Sequence, residues 1–239
     1  MNALNRDVSL ELMAAFEQIA ADDDIHVVIL EGAGGNFSTG ADFALFDENH
    51  SVTEWLEGMQ FLSRLIRRIR EVPQPVISKL RGAAYGGGSN LALAADFVIA
   101  AHDARFCENF IHIGTILDTG GTYFLPRLVG LVRAREIAFL GEEITGKTAA
   151  SMGLICKSVP NDELDVEVMT LAEKLSQKSL KALALIKQGL ETSFDNSLKE
   201  IMDWEAAHQS IMLQSPEHKA IVKMFLDIKK QKNAQKKNT

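Results

Sequence analysis

The sequence predicts an α/β protein whose helices gather toward its C-terminal end. Strand-like and helix-like stretches alternate as far as Val159, and from Glu163 onward the pattern is helical throughout. The 239 residues are 46% hydrophobic, enough for one sizeable core. A stretch from Pro73 to Ala101, PQPVISKLRGAAYGGGSNLALAADFVIAA, organises the rest.

Taken in order, Asp7 or Ser9 caps a first helix with Leu12, Phe16 and Ile19 on one face, ending at the acidic run Asp22 to Asp24. Ile25 to Glu31 reads as a strand leading into a glycine-rich loop, GAGGNFSTGADF, from Gly32 to Phe43. Thr53 to Val72 carries Trp55, Met59, Leu62, Leu65, Ile66 and Ile69 at helical spacing. In the organising stretch, Val76 to Leu80 is a buried strand, followed by a small-residue turn, the glycines Gly86 to Gly88, a helix over Leu91 to Ala95, and a second strand over Phe97 to Ala101. Successive glycines between strand and helix allow a sharp turn and bring bare amides close to a ligand. After Phe106 to Ile116 comes DTGG at Asp118 to Gly121, then helices over Thr122 to Val129 and Leu131 to Leu140. Leu154 to Val159 is the last strand, and Pro216 starts the final helix.

Composition excludes several function classes. A net charge of −7 argues against a nucleic-acid binder. The exception is a tail with Lys219, Lys223, Lys229, Lys230, Lys232, Lys236 and Lys237, where Asp227 is the only acid after Glu217. Cys107 and Cys156 stand in no metal or redox spacing, which points to a reducing compartment. No apolar run reaches the length of a membrane span, and Met1 opens no signal peptide, so the expected location is the cytoplasm.

Several motifs fail on context. GEEITGKT at Gly141 to Thr148 has phosphate-loop spacing, but charges at helical spacing precede it, and Glu142 and Glu143 would repel phosphate. Gly32 to Phe37 lacks the third glycine of a dinucleotide fingerprint. Gly87, Ser89 and Leu91 miss the nucleophile-elbow pattern, and Glu205 with His208 makes only one of the two Glu-x-x-His pairs of a di-iron bundle. The DTG at Asp118 occurs once, in a chain too long for a small dimeric aspartic protease. The histidines show no ligand spacing, so no metal is expected. Two loops support each other instead. Convergent amides of Ala41 and Gly87 would give two donors to one developing oxyanion, the need of a thioester becoming an enolate, and one such donor is worth about 3 kcal/mol.

The chain resembles the crotonase superfamily, also called the enoyl-CoA hydratase/isomerase family. The likeness lies in NALN at Asn2 to Asn5, FSTGAD at Phe37 to Asp42, the run from Pro75 to Gly82, and GGGSN at Gly86 to Asn90. It continues through Asp96, Gly114, GGT at Gly120 to Thr122, Val129 with Gly130, and Gly146 to Leu154, covering essentially the whole chain in order. The resemblance implies an α/β crotonase-like spiral of ββα repeats over residues 1–177 and a helical C-terminal oligomerisation region over 178–239. It also implies a homotrimer or dimer of trimers. The implied substrate is an acyl-CoA, with its thioester carbonyl between the amides of Ala41 and Gly87 and its adenine end near Ser38, Ala41, Asp42 and Phe43. Gly88 and Phe110 complete the implied substrate contacts, and the lysine-rich tail is a candidate for the CoA phosphates. No cofactor beyond the CoA thioester itself is implied. The family usually has a β-hairpin ahead of NALN, whereas here Met1 directly precedes Asn2, which predicts an exposed sheet edge and lower stability.

Where typical hydratases of the family carry two glutamates, this chain has Asn90 and Phe110, neither of which transfers a proton at neutral pH. Asp118 stands where dienoyl-CoA isomerases and chlorobenzoyl-CoA dehalogenases place an aspartate. Flanked by Ile116 and Leu117, its carboxylate is expected to be desolvated and more basic; the competing role is a helix N-cap. The dehalogenase reading lacks the lid histidine, absent from Leu62 to Arg67, and Glu108 is a second candidate acid at a position the family varies. One carboxylate suffices to shift a double bond, so the expected activity is that of an enoyl-CoA isomerase with Asp118 as proton shuttle and Asn90 orienting substrate or water. The alternatives are a hydratase or thioester hydrolase in which Asp118 activates water, and a non-catalytic acyl-CoA-binding subunit.

Overall fold

Asn5 starts the first helix, because its side chain accepts a hydrogen bond from the Val8 amide at 2.9 Å while Ser9 donates to the Asn5 carbonyl at 2.7 Å. This displaces the expected cap at Asp7 or Ser9; Asp7 instead lies in the first turn, where its charge suits the helix dipole. The computed structural model describes residues 1–46 and 49–237, with side chains through Lys230. In chain order its elements are α1 (Arg6–Ala21), β1 (Val28–Glu31), α2 (Val52–Glu71), β2 (Val76–Leu80), β3 (Ala83–Tyr85), α3 (Gly87–Leu93), β4 (Phe97–Ala101), β5 (Arg105–Cys107), α4 (Gly121–Leu140), β6 (Ile144–Thr145), α5 (Gly146–Ser151), β7 (Lys157–Val159), α6 (Leu164–Ser176), α7 (Leu180–Thr192), α8 (Leu198–Gln214) and α9 (Pro216–Lys237).

The strands form two sheets. One runs β1-β2-β4-β7 with every pair parallel; the other runs β3-β5-β6, the first pair parallel and the second antiparallel. The chain therefore winds in repeated turns, β2-β3-α3 and then β4-β5-α4, each giving one strand to each sheet before its helix. A bridge between Ser38 and Ala84 brings the glycine-rich loop alongside β3, so the first turn follows the same path. The long parallel strands are apolar on both faces because helices cover them: Val76, Ile77, Leu80, Ile99 and Ala100 are all buried.

Two differences from the sequence reading have local causes. The small-residue turn after β2 is a strand, β3, paired Ala83 to Arg105 and Tyr85 to Cys107. The glycines Gly87 and Gly88 are not a loop but the first turn of α3, with Gly86 as its N-cap at φ 52°. Gly130, at φ 74° and ψ 162°, splits α4 into the two helical stretches expected. In the phosphate-loop lookalike, the amides of Gly146 and Lys147 donate to the carbonyls of Ala104 and His102, leaving no cradle for an anion.

The contacts divide the chain into two units, Met1–Gln177 and Lys178–Thr239. The first holds both sheets and the main core. The second consists of α7, α8 and α9, with Gly189 packed against Trp204 so closely that a Cβ there would meet the ring at 2.8 Å. Of the tail lysines, the side chains of Lys232, Lys236 and Lys237 lie outside the described residues. Among the described residues no helix is long and apolar enough to cross a membrane.

Candidate active site

The site is assembled from the loop Phe37–Phe43, the start of α3, and the turn before α4. The loop is clamped on both sides. Leu4 donates its amide to Gly40 at 2.7 Å, and Asp42 donates back to the Leu4 carbonyl at 3.3 Å. On the other side Phe37 and Ser38 donate to Ala83, and Tyr85 donates to Ser38. Because the Gly40 carbonyl and the Asp42 amide both face Leu4, the amide of Ala41 between them faces away from it. Among the described residues neither the Ala41 nor the Gly87 amide donates a hydrogen bond.

Glycine is required where loop and helix touch. A Cβ on Gly40, which has φ 80°, would stand 2.6 Å from the Tyr85 carbonyl oxygen and 3.3 Å from the Gly87 nitrogen. A Cβ on Gly88 would stand 2.6 Å from the Ser38 carbonyl oxygen. The two bare-amide segments thus meet in space, although 45 residues of chain, carrying α2, β2 and β3, lie between Ala41 and Gly87.

Asp118 stands against the same glycine. Its Oδ1 lies 3.6 Å, and Thr119 Oγ1 3.3 Å, from the point a Cβ on Gly87 would occupy. Thr119 donates to Asp118 Oδ1 at 2.9 Å. Burial raises the Asp118 pKa above the ordinary value, opposed by that bond. The helix-cap role is not what the structure has, since Gly120 caps α4 without a side-chain bond and Asp118 contributes only its carbonyl, accepting from Gly121 at 2.9 Å. Nor does Ile116 provide the desolvation expected of it, being 86% exposed. Thr119 sits at φ 46°, a left-handed conformation unusual for a branched residue, which turns the chain so that carboxylate and hydroxyl both reach Gly87.

Asn90 is fully buried on α3 and donates through Nδ2 both to the Asp118 carbonyl at 3.0 Å and to Glu108 Oε2 at 3.2 Å. Gly121 makes room for it: a Cβ there would lie 2.6 Å from Asn90 Nδ2. Glu108 is 2% exposed, and burial pushes its pKa up to about 7 against bonds from Ser89 and Asn90 that favour the charged form, with Asp118 raising it further. Glu108 Oε1 and Asn90 Oδ1 are both buried without a hydrogen-bond partner.

The remaining residues of the expected set divide. Phe110 is buried, its ring edge 3.7 Å from a would-be Cβ on Gly86. Ser38 is buried too, and its hydroxyl donates to Asn2 at 2.7 Å and accepts from Gly40 at 3.2 Å, so its proton holds the loop. Asp42 caps its own turn through Ala44. Phe43 is 62% exposed and meets Phe46 edge-on at 5.6 Å, and Phe46 stacks on Trp55 at 5.8 Å. Trp55, Met59, Phe61 and Leu62 of α2, with Leu10 of α1 and Leu4, line a cavity of about 570 Å³. Leu4 joins this cavity to the site, its Cδ1 lying 3.5 Å from the Gly87 Cβ position. The sequence reading missed Leu4 and Thr119. DTGG announced a tight turn, but nothing in it marked the threonine as the strained residue.

Among the described residues no three His, Cys, Asp or Glu side chains are grouped to hold a metal ion.

Comparison with known proteins identifies the family. A family model described as enoyl-CoA hydratase/isomerase matches residues 1–236. The chain is 34% identical over 231 residues to a 1,2-epoxyphenylacetyl-CoA isomerase of Escherichia coli, covering 95% of this chain and 87% of that protein. It is 36% identical over 231 residues, with the same coverage, to a probable enoyl-CoA hydratase of Rhodobacter capsulatus. The crystal structure of an enoyl-CoA hydratase from Polaromonas superposes with a TM-score of 0.90 at 28% identity, covering 94% of this chain and 88% of that one.

Proposed function

The chain belongs to the enoyl-CoA hydratase/isomerase family of acyl-CoA enzymes, and from that premise we propose that it shifts the double bond of an enoyl-CoA thioester, using one carboxylate. The observation that carries the reading is the placement of Asp118 Oδ1 against Gly87, whose amide is free to donate, with Asn90 and Phe110 offering no proton-transfer group. In this reading the thioester oxygen accepts from the amides of Ala41 and Gly87. Asp118 removes a proton from one carbon, negative charge moves onto the oxygen, and the same carboxyl returns the proton to another carbon on the same face. Oxyanion donors supply stabilisation only as charge develops, so they lower the barrier more than they tighten ground-state binding. The acyl group extends into the cavity walled by Leu4, Trp55 and Met59, and no cofactor beyond the substrate's own CoA takes part.

A second reading, hydration or thioester hydrolysis with Asp118 activating water, is favoured by one observation: Asn90 Oδ1 and Glu108 Oε1 are two buried acceptors that a water can serve. A panel of enoyl-CoA thioesters separates the readings. Isomerisation gives a shifted double bond and solvent deuterium at the α-carbon, whereas the second reading gives a 3-hydroxyacyl-CoA or free CoA. Asp118→Asn is expected to lower turnover by about 10² to 10⁴ while retaining thioester binding. Binding without turnover or deuterium exchange in the parent protein would instead identify a non-catalytic acyl-CoA-binding subunit.

A further inference from the structure

Glu108 is a buried carboxyl beside the site that the mechanism above leaves idle. It sits at the end of β5, directly after Cys107, with 2% of its surface exposed. Its Oε2 accepts from Asn90 Nδ2 at 3.2 Å, and that same Nδ2 donates to the Asp118 carbonyl at 3.0 Å. One carboxamide therefore ties the two acids together. The groups that face Glu108 are Ser89 and Asn90 of α3, Asp118 before α4, and the neighbouring Cys107 thiol, whose own pKa is raised to about 11 by burial, Glu143 and Glu108. Among the described residues no cation contributes to its ionisation.

A buried carboxyl without a cation lacks the compensation that normally keeps such a group charged. Its two hydrogen-bond donors, Ser89 and Asn90, both favour the ionised form, and its second oxygen has no partner. When Glu108 is ionised it accepts from Asn90 fully, and its charge opposes ionisation of Asp118, raising the basicity of that carboxylate. When it is neutral, the Asn90 bond weakens and Asp118 becomes a poorer base. We propose that Glu108 is a positioning residue of this site, holding Asn90 against the Asp118 turn and setting the basicity of Asp118 through its own charge state. This rests on the reading of Asp118 as the base. Glu108 itself gives no proton to the substrate; its proton exchanges with solvent.

The test is a pH profile of kcat/KM for the parent and for Glu108→Gln, paired with infrared titration of the carboxyl bands in the intact protein. The parent is expected to show two rises, one as Asp118 loses its proton and a second near pH 7 as Glu108 ionises. In Glu108→Gln the second rise disappears and kcat/KM stays at the level the parent reaches between its two rises; the first rise keeps its position, because Glu108 is already neutral at the pH where Asp118 ionises. Ser89→Ala keeps the carboxyl and removes a donor to it, so it should move the second rise to higher pH; it serves also where the glutamine variant fails to fold. A second rise that survives Glu108→Gln, or a variant plateau equal to the parent's upper level, would overturn the proposal. If no thioester is turned over, the Asp118 reading fails, while the infrared data still decide whether a carboxyl titrating near pH 7 vanishes with Glu108→Gln.

Discussion

Keeping Glu108 out of water has a stability consequence of definite sign. Its folded pKa, about 7, lies above its ordinary 4.5, so the folded state binds that proton more tightly than the unfolded chain. The burial is tolerated below the ordinary value, grows costly as pH rises through the interval, and is fully felt above about 7. Glu108→Gln should therefore stabilise the protein by about 3 kcal/mol at pH 8 and by little at pH 5, measured by urea denaturation at both. Thr119 presents a similar trade. Its φ of 46° costs about 1–2 kcal/mol that glycine would avoid, yet its hydroxyl bonds the Asp118 carboxylate. Thr119→Gly is expected to leave stability unchanged or improved and to shift the acid limb of activity upward, since the bond it removes lowers the Asp118 pKa.

At the scale of elements, the site depends on α3 pressing its first turn into the Phe37–Phe43 loop. Gly88→Ala would set a methyl group 2.6 Å from the Ser38 carbonyl oxygen, which neither backbone can yield cheaply. The expected cost is about 1–3 kcal/mol together with weaker binding of a CoA thioester, read by denaturation and calorimetry. Gly58→Ala, inside α2 with nothing within 4 Å of the added carbon, should stabilise by about 0.5–1 kcal/mol and is the control for stability alone, since Gly58 lines the cavity. The elements themselves were partly legible. Val76–Leu80 and Phe97–Ala101 stand as read, because an uninterrupted apolar run bounded by turns has few other solutions. Ala83–Tyr85 was illegible as a strand, since two alanines and a tyrosine carry little pattern and become β3 only by pairing with Arg105–Cys107.

For the whole molecule, the apolar surface left uncovered on α4 and the turn before it is large. Val132 is 81% exposed, Phe139 69% and Ile116 86%, alongside Leu131 and Leu140. Surface of this kind marks an association site rather than a solvent face. The expected outcome in analytical ultracentrifugation is a homotrimer or a dimer of trimers, with Val132→Asp and Phe139→Asp shifting the population toward monomer. A parent protein that sediments as a monomer at micromolar concentration would remove that expectation.

The sequence by itself determined the family and the winding α/β core, and it singled out candidates for the site: the amides of Ala41 and Gly87, Asp118, and a second acid at Glu108. Motif order and apolar runs are local properties, so one dimension suffices to carry them. What the tertiary structure alone decided is the electrical state of those groups. Whether Asp118 caps a helix or presents its carboxylate, and whether Glu108 meets water or Asn90, depends on packing between segments distant along the chain. Desolvation and hydrogen bonding act through space, and they set the pKa values on which any chemistry here turns.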